Sequence, residues 1–150
     1  MIPIRDPRGQ VIGFGARALD DTPPKYLNSP QTPIFDKGAV LFGLDRAAKT
    51  IRARSEAVIV EGYMDVMMAR QHGVTNVVAA MGTSLTEEQL RVLARLAGRL
   101  VLALDADAAG DQATLRGLNP ARQSIGRRRV PTLRLDGTVG EEERLAIDLR

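Results

Sequence analysis

Hydrophobic and polar positions along the chain group into three short apolar runs, each separated from the next by an amphipathic stretch. The runs are Ala57-Val58-Ile59-Val60, Val77-Val78-Ala79-Ala80 and Leu100-Val101-Leu102-Ala103-Leu104. Apolar segments this short, with no polar alternation, read as strands buried on both faces. The stretches between them carry the helical period. Met64, Met67 and Met68 share one helical face, which the spacing assigns to core packing, and Gly73 stops that helix. Thr86-Glu87-Glu88-Gln89 is a capping box that opens a helix with Leu90, Leu93, Leu96 and Ala97 on one face, closed by Gly98. A third helix is expected from Ala108 to Leu118. Strand and helix thus alternate three times with short connections. That pattern predicts an α/β fold: a parallel sheet with right-handed crossovers and helices on both faces.

The chain before this unit reads differently. Residues 2–19 form two β-rich runs around Asp6-Pro7-Arg8-Gly9, a turn with Pro second and Gly fourth, so a β-hairpin is expected. Residues 20–33 hold four of the eight prolines and predict an extended, irregular loop. Leu41, Leu44, Ala48 and Ile51 then recur at helical spacing. With no strand partners expected beyond the hairpin, this first third reads as a partial α+β subdomain. After the third apolar run, Val130 to Leu135 suggests an edge strand because of Pro131, and Glu141 to Leu149 a short terminal helix. The expected division is 1–54 for the subdomain, 55–136 for the α/β unit and 137–150 for a terminal segment.

Composition narrows the chemistry. A hydrophobic share of 44% in 150 residues is enough for a core. Aromatic residues make up 3%, too few for base-stacking platforms to be the main binding device. There is no cysteine, which excludes disulfides, thiolate zinc sites and cysteine nucleophiles. A single histidine, His72, excludes a histidine-rich metal site, and its place beside Gly73 suggests an exposed helix end. No apolar run reaches the roughly 18 residues of a membrane span, and Met1 to Asp6 lacks a signal-peptide core, so a cytoplasmic protein is expected. Net charge is +3. Six arginines and no acid lie between Arg116 and Arg134, and Arg127-Arg128-Arg129 are consecutive. They read either as a solvated face or as contacts to a polyanion.

The acids carry the sharper signal. Glu61 closes the first apolar run, Asp65 stands one turn into the following helix, and Asp105 and Asp107 close the third run. In a parallel sheet all carboxyl ends lie on one edge, where α/β sheets place ligands. If the first and third strands are neighbours, Glu61, Asp105 and Asp107 converge. Oxygen donors without histidine or cysteine select a hard cation, Mg²⁺ or Mn²⁺, which works with phosphate oxygens. Each acid alone also fits a bland role: Glu61 in a cap or ion pair, Asp107 as an N-cap.

Glu61-Gly62-Tyr63-Met64-Asp65-Val66 and Asp105-Ala106-Asp107-Ala108-Ala109-Gly110 resemble the two signature motifs of the Toprim fold, shared by topoisomerases and bacterial DnaG-type primases. The first motif has the primase form. Met1 to Asp6 with Gly9 and Gly13-Phe14-Gly15, Pro24-Lys25-Tyr26-Leu27-Asn28-Ser29-Pro30, and Gly82-Thr83-Ser84 agree with it. The resemblance implies a Toprim-like parallel sheet in the catalytic core of a DNA primase, a DNA-directed RNA polymerase. Its reaction would be metal-dependent nucleotidyl transfer, making RNA primers from nucleoside triphosphates on single-stranded DNA during replication. It implies Glu61 as catalytic carboxylate, Asp105, Asp107 and Asp65 beside it around Mg²⁺ or Mn²⁺, and Lys25, Tyr26 and Lys37 as grips for template or nucleotide. The replicative helicase would be a partner of full-length members. Two departures stand out. Family members carry a third acidic motif, Asp-Pro-Asp; here Leu135-Asp136-Gly137-Thr138-Val139-Gly140-Glu141-Glu142 occupies its place. The zinc-binding domain, most of the first half of the core and the helicase-binding domain have no counterpart in these residues. Two other readings stay open: a non-catalytic Toprim module that binds nucleic acid or metal, and a phosphohydrolase with Asp105 as nucleophile, which would want Thr where Ala109 stands.

Overall fold

Strands form over the three apolar runs and pair in the manner of a doubly covered sheet. The structure, a computed structural model, describes residues 1–20, 23–81, 85–104, 127–133, 139–145 and 148–149. Strand β5 (Glu56–Val60) lies between β6 (Val77–Ala80) and β7 (Arg99–Leu102), parallel to both. Side chains alternate across this pleat. Ala57, Ile59 and Val78 face a core that includes Leu44, Ala47 and Ile51 of helix α1 (Leu44–Arg54) and Leu90 and Leu93 of α3 (Glu87–Ala94). Val60, Val77 and Ala79 face Val66 of helix α2 (Tyr63–Gln71) on the other side. Both faces are therefore buried, which is why the runs lack polar alternation.

Among the described residues the sheet has one antiparallel member. Strand β4 (Leu41–Phe42) pairs with β6 through Leu41↔Ala80 and Phe42↔Ala79. This corrects the expectation that Leu41 belongs to the helix. Gly43, in the left-handed region at φ 82, turns the chain between β4 and α1, and a two-residue strand leaves no period to detect. At the other edge β10 (Asp148–Leu149) pairs parallel with β7, giving the order β10-β7-β5-β6-β4. The two ends of the β5–β7 contact are fixed differently. At the start, Arg99 pairs with Glu56 and holds that carboxyl below its ordinary range. At the far end the Ala103 N–H donates to the Ile59 carbonyl at 2.9 Å.

Strands β1 (Ile2–Arg5) and β2 (Val11–Arg17) form the expected hairpin. Asp6 Oδ1 accepts from the N–H groups of Arg8 and Gln10, and Gly9 closes the turn at φ 85. A third strand, β3 (Tyr26–Asn28), pairs with β2 inside the segment expected to be irregular. The prolines bracket it without entering it. The hairpin thus has a partner that its own sequence pattern does not announce.

Three further expectations are corrected. Met68 is 53% exposed; Tyr63 and Val66 are the buried residues of α2, so the methionine stripe is only partly core. Residues 139–145 form strand β9 (Val139–Leu145), not a helix, paired antiparallel with β8 (Arg127–Leu133). Glutamate favours helices, but Glu141-Glu142-Glu143 offer no apolar stripe to hold one, and pairing decides the outcome. Arg127-Arg128-Arg129 accordingly belong to the edge strand, which begins three residues before the expected Val130. His72 is exposed at the α2 end, with Nδ1 2.9 Å from the Met68 carbonyl oxygen. The expected Ala108–Leu118 helix, Gly82-Thr83-Ser84 and Asp136 lie outside the described residues. Among the described residues no helix is long and apolar enough to cross a membrane.

One buried polar side chain ties α3 to the segment before β4. Gln89 has no exposed surface. Its Nε2 donates to the Lys37 and Val40 carbonyls at 3.1 and 2.9 Å, and its Oε1 accepts from the Thr86 N–H at 3.1 Å. Replacing Gln89 by Leu strands these three backbone groups, at about 1–3 kcal/mol for each buried group left unpaired. Urea denaturation of Gln89→Leu should show a loss of at least about 2 kcal/mol with an unchanged m-value.

Candidate functional site at the carboxyl edge

Because β5, β6 and β7 run parallel, the chain leaves all three at one edge. β5 connects through α2 to its neighbour β6, whereas β7, which follows β6 through α3, lies on the opposite side of β5. That makes a topological switch point, the place where open α/β sheets hold ligands.

Glu61 is the first residue beyond β5 and is exposed. The register Ile59↔Leu102 sets Glu61, two residues on, level with Leu104, two residues beyond Leu102. Asp105 follows Leu104 in the chain; Asp105 and Asp107 lie outside the described residues. The first and third apolar strands are thus neighbours, the condition on which convergence of the acids rests.

Asp65 has a local task. Its Oδ2 accepts the Gly62 N–H at 2.9 Å, satisfying a backbone donor at the start of α2, where the helix dipole also favours a carboxylate. Glu61 and Asp65 present oxygen donors only, chemistry suited to a hard cation. Among the described residues no three His, Cys, Asp or Glu side chains gather closely enough to hold a metal ion.

The polar residues expected to grip a template or nucleotide stand around the same edge. A cluster of Ile4, Phe35, Tyr63 and Met81 organises them. Met81 directly follows β6, Tyr63 stands two residues after Glu61, and Phe35 two residues before Lys37. Tyr26 reaches Tyr63 edge-on, with ring centroids 5.9 Å apart, and the Arg17 guanidinium lies 5.6 Å from the centre of the Tyr26 ring. Tyr26 remains 46% exposed and Lys25 is exposed beside it. Lys37 is held through its carbonyl by Gln89. Lys25, Tyr26 and Lys37 are thus carried on segments anchored to the element that bears Glu61.

Sequence reasoning missed Asn28, Tyr63 as an anchor, and Gln89. The Tyr63 hydroxyl donates to Asn28 Oδ1 at 3.0 Å. Gly13 and Gly15 make room for the cluster. A Cβ on Gly13 would sit 3.3 Å from the Phe35 ring, and one on Gly15 would sit 3.1 Å from the Tyr63 ring. The Gly-Phe-Gly pattern was the signal for this packing, since two glycines in one strand mark close approach by another group.

Replacing Asp65 separates its two roles. Asp65→Ala should cost about 1 kcal/mol of stability through the lost cap. Asp65→Asn keeps a side-chain acceptor and should recover most of that loss without restoring the negative charge. Thermal unfolding of the two variants, beside Mn²⁺ titration of each, distinguishes the cap from the charge.

Comparison with known proteins bears on both halves of this arrangement. Residues 1–48 match the family model for the N-terminal domain of the DNA primase catalytic core, and residues 58–135 match the Toprim-like model. A DNA primase of Deinococcus radiodurans is 52% identical over 120 residues, which are 79% of this chain and 21% of that protein. The E. coli primase catalytic core superposes with a TM-score of 0.76 at 41% identity, covering 91% of this chain and 44% of the other. A DnaG primase catalytic domain bound to single-stranded DNA has a TM-score of 0.75 at 42% identity, covering 85% of this chain and 41% of the other. The chain spans about a fifth of the length of the curated relatives it matches. With a matched Toprim-like sheet, and a matched primase domain docked on the element that carries Glu61, the chain belongs to the Toprim-like family, in the group of DnaG-type DNA primase catalytic cores.

Proposed function

We propose that this chain serves metal-dependent nucleotidyl transfer in which RNA primers are made on single-stranded DNA, in the cytoplasm, during replication. The observation that carries the reading is the parallel β5–β7 pairing, which brings the exit of Glu61 level with the residue before Asp105. The relative solved with single-stranded DNA supports a DNA template as partner. Nucleoside triphosphates and the growing RNA primer are the other partners of that chemistry.

The residues take the following parts. Glu61, Asp105 and Asp107, with Asp65 beside them, would hold Mg²⁺ or Mn²⁺. Such an ion, when bound, neutralises charge on the phosphate oxygens. Glu61 would receive the proton of the primer 3′-hydroxyl as that oxygen bonds to the α-phosphorus and pyrophosphate leaves. Lys25 and Lys37 supply positive charge for phosphates, and Tyr26, half exposed with the Arg17 guanidinium over its ring, adds aromatic surface beside them. Asp136 and Glu141 are the acids available where the third acidic motif stands in the family. Glu141 lies on β9 opposite Pro131, and Asp136 lies outside the described residues.

The test is primer synthesis on a single-stranded template with Mg²⁺ or Mn²⁺. Glu61→Gln and Asp105→Asn should each lower it by about 100-fold or more while the unfolding midpoint stays near the parent value. Lys25→Ala and Lys37→Ala should instead weaken template binding, each reducing the slope of log affinity against log salt by about 1. Full synthesis by Glu61→Gln would refute the assignment.

A further inference from the structure

Within the apolar cluster where the two sheets meet, Tyr63 adds a side-chain hydrogen bond between them. It is the first residue of α2, two positions after Glu61, and its side chain is buried. The ring rests on Gly15 of β2, where even a methyl group would come within 3.1 Å. Phe42 of β4 meets it edge-on at 5.6 Å and Tyr26 of β3 at 5.9 Å. The hydroxyl donates to Asn28 Oδ1 at 3.0 Å, at the far end of the three-residue strand that begins with Tyr26. Burial, and then the neighbouring Tyr26, push the Tyr63 ionisation above its ordinary range, so the hydroxyl stays a donor.

The rest of β3 is held to the hairpin by its backbone ladder. The Ser29 N–H donates to the Phe14 carbonyl at 2.8 Å, and Ser29 Oγ accepts the Phe14 N–H at 2.9 Å. None of these bonds reaches the α/β unit. The bond from Tyr63 to Asn28 does, and it does so two residues after Glu61.

Resting on the primase reading above, we infer that Tyr63 is a positioning residue that sets the spacing between the acidic edge at Glu61 and the exposed face of β3 at Lys25 and Tyr26. Its ring bears on Gly15 and fixes the approach of the two sheets. Its hydroxyl fixes the slide of β3 along that contact. A template strand held on β3 is then presented at a defined distance from the carboxylates. The account separates two properties that a merely structural tyrosine would couple. Loss of the hydroxyl should loosen the hold on the template while leaving the carboxylates able to take a cation, because Glu61 and its neighbours are not displaced from β5.

Tyr63→Phe keeps the ring and deletes the bond, and Asn28→Ala deletes the same bond from the other side with every ring left in place. Three quantities are read on the whole chain: anisotropy of a fluorescein-labelled oligothymidylate, Mn²⁺ binding by electron paramagnetic resonance, and the thermal midpoint. Tyr63→Phe should weaken oligonucleotide binding about fivefold, with Mn²⁺ affinity unchanged and the midpoint within a few degrees of the parent. The double variant should bind no more weakly than Asn28→Ala alone, since both changes remove one interaction. Should Tyr63→Phe fail to fold, Asn28→Ala carries the same expectation on its own. Oligonucleotide binding at parental strength in Tyr63→Phe, or equal losses of Mn²⁺ and oligonucleotide, overturns the inference. A parent chain that binds neither Mn²⁺ nor oligonucleotide overturns the primase reading, and this inference with it.

Discussion

Parallel pairing of β5 with β7 is the constraint on which the site depends. Two strands far apart in sequence are set side by side in one direction, so the chain leaves both at the same edge. The pairing is fixed by an ion pair between Glu56 and Arg99 at one end and a backbone bond from Ala103 to Ile59 at the other. Between those ends Ala57, Ile59 and Leu100 are fully buried. A slip of one residue would turn Ile59 toward the opposite face and empty its place in the core, so burial enforces register. Register in turn decides which residues emerge together. The place of Glu61 at this edge is thus a consequence of apolar packing.

Around this sheet the chain gathers polar residues by indirect means. Phe35, Tyr63 and Met81 meet in one apolar cluster, and each lies within two residues of a group or strand end that belongs to the edge. Gln89 holds the carbonyl of Lys37 from within the core. Charged residues that cannot be buried are thereby placed by neighbours that can. The same logic explains the glycines of β2. Gly13 and Gly15 contribute no side chains, and the Phe35 and Tyr63 rings occupy the space instead.

Much of this was legible from the amino-acid sequence, for a definite reason. The three apolar runs are buried on both faces, and such burial leaves an unbroken hydrophobic signature. The capping box at Thr86 is a local chemical pattern, and Thr86 Oγ1 does accept the Gln89 N–H. Elements of two or three residues were illegible. Strands β3 and β4 are too short to show a period and exist because a neighbour supplies the pairing. Strand β9 was hidden by helix-favouring glutamates whose conformation is decided by β8. The methionine stripe on α2 shows the limit of periodicity: Met64, Met67 and Met68 share helical spacing, but the core takes Tyr63 and Val66. In the site, Glu61 was legible as a strand-ending acid. The dependence of its surroundings on Tyr63 and Asn28 was not, because that contact joins residues 35 positions apart.

The central claim is that one divalent cation is shared by an acid leaving β5 and an acid leaving β7. The most direct measurement is a crystal structure of this chain soaked in Mn²⁺, with the ion located by its anomalous scattering. The account predicts a single strong peak within coordination distance, about 2.0–2.3 Å, of carboxylate oxygens of both Glu61 and Asp105. Glu61 and Asp105 carboxylates pointing apart, with no anomalous peak between them at millimolar Mn²⁺, would contradict it.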